Sequence, residues 1–323
     1  MNKLLLPLLH ALMFLDATGI AAAQSYPARP LRLVVPFAAG GGTDLIARSV
    51  ATRLNEAWGQ PVVVDNRAGG TGAVGSVLVA QAPPDGYTLI MVTSSTHAIS
   101  PNFFHKPAYD PIKDFSAVIL MANSHEVVVA HGSTAANNIK ELIALAQARP
   151  GALNYASAGT GTIGHVTAEL FKIVTSTNIA HIPYKGTGDA IRDLLGGQVQ
   201  IMFGAPGAVI QHVRSGRIKA LAVCYRQRLP EMKDVPTMAE AGYPSVEASN
   251  WYAMLAPAGT PKPVITKLNQ QIARIMQLPE TKELLYRQGY DAVSSTPEEL
   301  ARLLETDLAK WGKVVKSIGL QTN

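Results

Sequence analysis

The stretch that most constrains the fold is an apolar run that stops at a glycine-rich turn just before a helix-like segment. Residues 31–35 read Leu-Arg-Leu-Val-Val, three glycines occupy 40–42, and a helix is predicted over 45–58. Thr43 or Asp44 is placed to cap that helix. A strand, a glycine loop and a helix N-terminus direct free amides and the positive end of the helix dipole at one point. The stretch therefore predicts either an anion site or a tight turn that needs glycine only for its dihedral angles.

The first 23 residues have the pattern of an export signal. Lys3 precedes an apolar run from Leu4 to Leu15, and three alanines at 21–23 favour cleavage near Ala23. That run is shorter than the roughly 18 apolar residues of a membrane-spanning helix, and no later stretch of the chain reaches this length. The mature chain would hold 300 residues (323 minus 23), which favours two domains over one.

Charge, cysteine and histidine content argue against several function classes. The chain carries 28 Lys and Arg against 23 Asp and Glu, spread without blocks, so a nucleic-acid partner is not expected. Cys224 is the only cysteine and lies in an apolar run, which predicts a buried structural residue rather than a nucleophile. The eight histidines show no metal-ligand spacing, so neither a metal nor another cofactor is expected.

Strand-like and helix-like segments alternate along the chain, which predicts a largely parallel sheet covered by helices. A strand predicted over 87–92 ends in a hydroxyl-rich loop that contains Thr93, Ser94 and Ser95. Because ligands of such sheets bind beyond the carboxyl ends of the strands, we expect this loop and the loop over 37–44 to face one cleft. The hydroxyls could instead cap the next segment.

The second half of the chain repeats the opening pattern. A strand predicted over 153–156 runs into the glycine and hydroxyl loop over 157–162, and a predicted helix follows. The glycines of this loop also fit the dinucleotide pattern G-x-G-x-x-G, but the acidic residue expected about 20 residues later is missing. The loop therefore predicts a second anion-binding helix N-terminus, with nucleotide binding disfavoured.

No reactive constellation emerges from the sequence. Ser94 or Ser157 together with His165 would suggest a hydrolase, but there is no G-x-S-x-G motif and the acidic residues are not paired. His165, in the first turn of its predicted helix, is either a ligand-facing donor or a structural histidine. An enzyme that uses the same glycine-loop cleft, a hydrolase or a dehydrogenase, is the alternative to a binding protein.

Motifs along the whole chain resemble one family of receptors. In order they read PFAAGGGTD at 36–44, NRAGG at 66–70, PDGYTL at 84–89, YASAGTG at 155–161, HIPYKG at 181–186, DVPT at 234–237, LAPAGTP at 255–261 and STPEE at 295–299. Together they resemble the extracytoplasmic solute receptors of tripartite tricarboxylate transporters, the TctC-like or Bug family. The resemblance covers essentially the whole mature chain.

The resemblance implies an α/β fold of the periplasmic binding protein type II, or Venus flytrap, kind. Two α/β lobes joined by two crossover strands would close over a small carboxylate. Chain order then assigns lobe 1 to residues 24–123 and 249–323, and lobe 2 to residues 124–248. We expect a periplasmic, non-catalytic receptor that acts as a monomer. Its partner, membrane transporter subunits or a sensor protein, is left open.

The resemblance also implies that the two glycine loops grip the ligand from opposite lobes, largely through backbone amides. The family often carries Asp-Asn where this chain has Gly204 and Ala205. An acidic group for a ligand ammonium is then absent and room is left for a larger skeleton, so we expect a dicarboxylate or aromatic carboxylate rather than an amino acid. The expected ligand contacts are Phe37, Ala38, Gly41, Thr43, Asp44, Thr93, Ser94, Ser95, Ser157, Ala158, Thr160, Gly161, His165, Gly204 and Ala205.

Overall fold

The structure is a computed structural model, and it describes residues 26–104 and 106–320. The predicted export signal and its cleavage near Ala23 lie outside the described residues and stay predictions. Within the described part of the chain, no helix has the length and apolar content needed to cross a membrane.

The strands of the described residues alternate with helices, as the sequence predicts. The strands are β1 (Leu31–Val35), β2 (Val62–Asn66), β3 (Thr88–Thr93), β4 (Phe115–His125), β5 (Val127–His131), β6 (Asn154–Ser157), β7 (Ala180–Pro183), β8 (Ile201–Gly204), β9 (Ile218–Val223), β10 (Ser249–Pro257) and β11 (Asp291–Ala292). The helices are α1 (Gly42–Trp58), α2 (Ala73–Ala80), α3 (Ile139–Ala148), α4 (Ile163–Thr175), α5 (Thr187–Leu195), α6 (Pro206–Arg214), α7 (Lys262–Gln277), α8 (Pro279–Arg287) and α9 (Pro297–Ser317). Short 3₁₀ turns occupy Gly70–Gly72, Ser100–Asn102 and Pro230–Met232.

These strands form two mixed sheets rather than the largely parallel sheet that the sequence predicts. The first sheet has the order β11-β4-β10-β3-β1-β2, and the second has the order β7-β6-β8-β5-β9. β1 pairs in parallel with β2 and β3, and β6 pairs in parallel with β7 and β8. β10 runs antiparallel to β3 and β4, and β5 runs antiparallel to β8 and β9. The antiparallel pairs involve the strands by which the chain passes from one sheet to the other.

Each sheet is covered by helices that bury an apolar face. In the first sheet, Leu33 and Met91 pack in one cluster with Ile46 of α1 and Leu268 of α7. In the second sheet, Val129 and the other inward residues of β5 pack with α5 and α6. The two sheets are therefore the cores of two α/β lobes, and the loops after β1, β6, β7 and β8 lie between them.

The hydroxyl-rich segment after β3 differs from the predicted loop. Ser95–Ile99 forms a π-helical turn, and all five of its residues are buried. Its hydroxyls satisfy the local backbone: Thr96 Oγ1 accepts from the amide of Thr93 at 3.0 Å and donates to its carbonyl oxygen at 3.1 Å. Such local side-chain bonding lets the chain turn immediately after the strand.

Candidate functional site

A cavity of about 50 Å³ lies between the two sheets. This volume holds roughly three to five water molecules. Its wall consists of Phe37, Ala38, Gly41, Gly42, Thr43, Asp44, Thr93, Ser95, Glu126, Ala158, Thr162, Ile163, Gly164, Thr187, Met202, Phe203, Gly204, Ala205, Asn250 and Tyr252. Both sheets contribute to this wall, so the cavity exists only when the two halves of the molecule are together.

Four helix N-termini converge on the cavity. They are those of α1, α4, α5 and α6, and none of them has a hydrogen bond from a capping side chain. Of the helices that do not contribute to the wall, α3 and α9 are capped by Asn138 and by a Thr296–Glu299 capping box, whereas α2, α7 and α8 also have no capping side chain. The helices that point at the cavity therefore leave backbone donors unused, and each adds the positive end of its dipole.

The predicted capping of the first helix by Thr43 or Asp44 is wrong. The helix begins at Gly42, three residues before the predicted start, and its N-cap is Gly41. Asp44 lies inside the first turn instead, where its carboxylate accepts from the backbone amide of Gly40 at 3.1 Å. Without a side chain over its end, α1 presents bare amides to the cavity.

Asp44 holds the glycine loop in shape rather than offering a free charge. Its carboxylate also accepts from Arg48 Nε and Asn66 Nδ2, each at 3.0 Å. Burial alone would raise the pKa of Asp44, but the hydrogen bonds from Arg48, Gly40 and Asn66 lower it below the usual value. The carboxylate is therefore ionised and already paired at neutral pH.

We expect Asp44→Asn to lower the free energy of unfolding by about 1–2 kcal/mol at pH 7, because it removes charge-assisted hydrogen bonds at a buried site. The pKa of Asp44 is lowered in the folded state, so the full loss of stability is expected above the pKa of this group in the unfolded chain. The loss should disappear as the pH falls through its pKa in the folded protein. Urea unfolding at pH 7 and at pH 3 measures the loss of stability and its dependence on pH. Asp85→Asn, at an exposed pair with Arg29, is the matched control and should cost less than about 1 kcal/mol. Equal losses at the two sites would contradict the role given to Asp44.

Hydroxyl and amide groups make up the remaining polar wall. Thr93 Oγ1 is buried and has no hydrogen-bond partner within the described residues. Ser95 Oγ accepts from the amide of Ile163 at 3.0 Å, which joins the first sheet's turn to α4. Asn250 Oδ1 accepts from Ser94 Oγ at 2.6 Å. No Lys, Arg or His is among the described residues of the wall, so charge on a bound anion would be met by neutral donors.

The structure places ten of the fifteen sequence-predicted contact residues in this wall. They are Phe37, Ala38, Gly41, Thr43, Asp44, Thr93, Ser95, Ala158, Gly204 and Ala205. The other five, Ser94, Ser157, Thr160, Gly161 and His165, are not part of this wall. Thr160 bonds through its carbonyl oxygen to Thr71 Oγ1 at 2.6 Å, and the Gly161 amide donates to His165 Nδ1 at 3.1 Å. These five contact neighbouring protein groups.

Ser157 approaches a histidine, but not the one considered from the sequence. Its Oγ lies 2.7 Å from His181 Nε2, and the serine is fully buried outside the cavity wall. Burial, with the nearby His165 ring stacked at 4.2 Å, lowers the pKa of His181 to about 3. A base this weak is poorly matched to general-base catalysis at neutral pH. The pair therefore fits a structural role beneath the loop better than a hydrolase dyad.

Ten wall residues are not among the fifteen predicted contacts, although Gly42 and Thr162 belong to the two predicted loops. The ten are Gly42, Glu126, Thr162, Ile163, Gly164, Thr187, Met202, Phe203, Asn250 and Tyr252. Thr187 opens α5 after a strand and a glycine, so the strand, loop and helix order that identified the other two loops could have found it. Glu126 and Asn250 carry no such local signal, because they lie where the chain crosses between the sheets.

The room expected beside Gly204 is filled by a neighbouring side chain. A Cβ built at Gly204 would lie 2.8 Å from the terminal Cε of Met202. Methionine is flexible and adapts its shape to its surroundings, so this boundary of the cavity can move.

Direct contacts hold the two halves together around the cavity. The amide of Ala38 donates to the carbonyl oxygen of Lys185 at 3.3 Å. The Tyr290 ring, on the side of the first sheet, lies against Gly207 of α6 on the other side. The structure is thus the closed arrangement of a two-lobed molecule.

The chain is similar to known proteins over most of its length. The family model of the tripartite tricarboxylate transporter family receptor, TctC, matches residues 46–320. Protein BugT of Bordetella pertussis is 38% identical over 311 residues, which cover 95% of each chain. A solved R. palustris protein with adipate is 36% identical, with a TM-score of 0.88 over 91% of this chain and 98% of that one. MatC from Rhodopseudomonas palustris with bound malate is 32% identical, with a TM-score of 0.86 over 90% of this chain and 100% of that one.

Proposed function

Because this chain belongs to the tripartite tricarboxylate transporter receptor family, we propose that it binds a small dicarboxylate in the cavity between its lobes. The family and the two-lobed periplasmic binding protein fold expected from the sequence are confirmed. The family is one of periplasmic solute-binding receptors rather than enzymes.

The observation that carries the proposal is the convergence of four helix N-termini without capping side chains on one cavity. Each N-terminus is equivalent to roughly half a positive charge and offers backbone donors. These donors favour an anion whatever its carbon skeleton, and they need no cationic side chain. An ionised carboxylate satisfies several of them at once, whereas a neutral ligand would leave them unsatisfied.

Two further features favour a dicarboxylate. The R. palustris structures hold adipate and malate, which carry a carboxylate at each end. The cavity of about 50 Å³ favours a compact ligand such as malate, and Gly204 and Ala205 add no acidic group to Glu126 and the already paired Asp44. An aromatic carboxylate is the second candidate, because it would need Met202 to move away from Gly204.

The proposal includes the lobe division expected from the sequence, residues 24–123 and 249–323 for lobe 1 and residues 124–248 for lobe 2. The first sheet draws its strands from Leu31–His125 and Ser249–Ala292, and the second from Val127–Val223, which supports this division. Ligand binding would hold the lobes closed. The closed receptor, as a monomer, would then be recognised by transporter subunits or by a sensor protein.

A thermal-shift screen tests the proposed function. The panel holds malate, adipate, citrate, benzoate, aspartate and glutamate. We expect malate or adipate to raise the melting temperature by several degrees, because a ligand at a hundred times its Kd stabilises by about 2.7 kcal/mol. Stoichiometric binding without product would distinguish a receptor from an enzyme. If no compound shifts the melt and mass spectrometry finds no small molecule released on unfolding, carboxylate binding is wrong.

A further inference from the structure

Glu126 places a carboxyl group in the cavity wall, at the point where the chain first crosses between the sheets. β4 ends at the residue before it and β5 begins at the residue after it. Its amide donates to Ala248 O at 3.3 Å and its carbonyl oxygen accepts from the Cys224 amide at 2.8 Å, so both crossing segments fix its backbone. Its side chain is only 2% exposed, and Oε2 lies 3.7 Å from the position a Cβ would take at Gly164. The carboxyl is therefore directed at the end of α4 rather than at solvent.

The carboxyl group of Glu126 has no partner for a negative charge. Among residues 26–104 and 106–320, none forms a hydrogen bond or an ion pair with it, and burial raises its pKa to about 8. The ionisable groups that face it are Cys224, Tyr252 and Tyr290, all buried with raised pKa values, and the already paired Asp44 across the cavity. None of these four groups supplies a positive charge. The positive end of the α4 dipole favours the carboxylate, but burial is the dominant effect and raises the pKa, so Glu126 is mostly protonated at neutral pH.

Two histidines lie near Glu126 in the chain or in space, and both are engaged elsewhere. The ring of His125 stacks on Tyr225 with centroids 3.4 Å apart. His165 follows Gly164 on α4, but its Nδ1 accepts from Gly161 and burial lowers its pKa to about 4. Neither histidine is a cationic partner bonded to the Glu126 carboxyl.

We propose that Glu126 binds the ligand as a neutral carboxylic acid, donating its proton to an anionic oxygen of the ligand, so that binding at alkaline pH takes up one proton. The inference rests on the proposed function and assigns a specificity role to this residue. An ionised Glu126 beside an anionic ligand oxygen would repel it, and the helix N-termini that favour one anion would then face two. A protonated carboxyl removes that repulsion and forms a short charge-assisted hydrogen bond.

The direction of the proton exchange reports the ligand class. When a dicarboxylate or another hydrogen-bond acceptor contacts Glu126, the carboxyl stays protonated. At any pH where Glu126 is ionised in the free protein, binding therefore takes up a proton from solvent. An ammonium group would instead favour the carboxylate and release a proton. Glu126 thus selects for a hydrogen-bond acceptor at this end of the cavity.

Isothermal titration calorimetry tests the inference on the mature chain, in two buffers of different ionisation heat, from pH 7 to pH 9.5. The probe is the tightest binder among malate, adipate, citrate and benzoate. For the native protein we expect about one proton taken up per ligand at pH 9, and binding about 30-fold weaker at pH 9.5 than at pH 7. Glu126→Gln keeps an N–H donor but cannot ionise, so its affinity, whatever its value at pH 7, should stay flat to pH 9.5 and its binding should take up no proton at this site.

The outcomes separate this inference from the proposed function. Binding without proton uptake, or uptake that persists in Glu126→Gln, overturns the inference and leaves the receptor function standing. Proton release, or aspartate binding that tightens with pH, overturns it in favour of an ammonium at Glu126. Failure of every compound to bind overturns the proposed function and the inference with it. Thermal melts of both proteins confirm that Glu126→Gln is folded.

Discussion

Replacing Gly207 with alanine is expected to weaken carboxylate binding by about 10- to 100-fold. A Cβ built at Gly207 overlaps the ring and hydroxyl of Tyr290. The ring cannot withdraw, because Gly42 of α1 lies against its other side, where a Cβ would also overlap it. Tyr290 is 1% exposed and meets Tyr252 edge-on with centroids 5.4 Å apart. The closed form therefore has no space for the added methyl group.

Gly207→Ala should affect lobe closure, because the contact between Gly207 and Tyr290 joins the two lobes. Gly207 lies in α6, beside the second sheet, and Tyr290 follows α8, beside the first. When the lobes separate, the methyl group has room, and alanine is favoured over glycine inside a helix. Overpacking in the closed form costs about 1–3 kcal/mol, which is roughly tenfold in Kd for each 1.4 kcal/mol. The free energy of unfolding should change little.

Calorimetry gives the Kd of Gly207→Ala, and small-angle scattering with and without ligand reports closure. Gly196→Ala is the matched control, since Gly196 ends α5 in the same lobe and its nearest contact is 3.5 Å away. The control should bind and compact like the native chain. Native affinity in Gly207→Ala would show that the lobes close over the ligand without the Tyr290 contact.

The fold could be predicted largely because its signals are local. Apolar runs that end in glycine loops define β1, β6 and the helices after them, and the family motifs span the chain. The sequence predicts element boundaries less closely, because hydrogen bonding at the ends of elements decides them. α1, for example, begins at Gly42 rather than at residue 45, and β4, Phe115–His125, runs on to the point where the chain crosses between the sheets. The mixed pairing of the sheets depends on that crossing, which no local pattern encodes.

The candidate site could be predicted only where one loop builds it. The wall formed by Phe37 to Asp44 follows from one strand, turn and helix. Glu126 and Asn250 come from chain segments far apart in sequence, and they meet only after both lobes have formed. The opposite error occurs at Ser157: its loop position suggests a ligand contact, yet its hydroxyl bonds to Gly159 and His181. Local hydrogen bonds compete with a ligand for small polar side chains.

His97 is expected to make the protein less stable in acid, because the folded state keeps its ring neutral. The residue is fully buried, its Nδ1 lies 3.1 Å from Thr96 Oγ1, and its Nε2 has no partner within the described residues. Burial lowers its pKa to about 3. Between the unfolded value of roughly 6.5 and this value, the unfolded chain binds more protons, so stability falls as pH falls. At pH 4.5 the loss from this residue is about 2–3 kcal/mol.

Replacing His97 by phenylalanine isolates this contribution from other titrations, including that of Glu126, whose raised pKa acts in the opposite direction. His97 already packs against Tyr109 and Phe115, with centroids 5.4 Å and 4.8 Å away, so an apolar ring suits the site. At pH 7.5, His97→Phe loses the hydrogen bond to Thr96 but also removes a buried nitrogen without a partner among the described residues. These two effects on the free energy of unfolding should cancel to within about 1 kcal/mol. At pH 4.5, His97→Phe should be more stable than the native protein by about 2–3 kcal/mol.

Urea unfolding of both proteins at pH 7.5 and pH 4.5 measures this difference. Tyr109→Phe is the matched control in the same cluster, because it removes only the hydroxyl that donates to the Thr96 carbonyl oxygen. Burial raises the pKa of Tyr109 to about 12, so its hydroxyl stays protonated and the control should lose the same stability at both pH values. If the native protein and His97→Phe lost equal stability between pH 7.5 and pH 4.5, a proton would be reaching His97 in the folded state. The cluster around it would then have to open to water well above the pH at which a fully buried ring ionises.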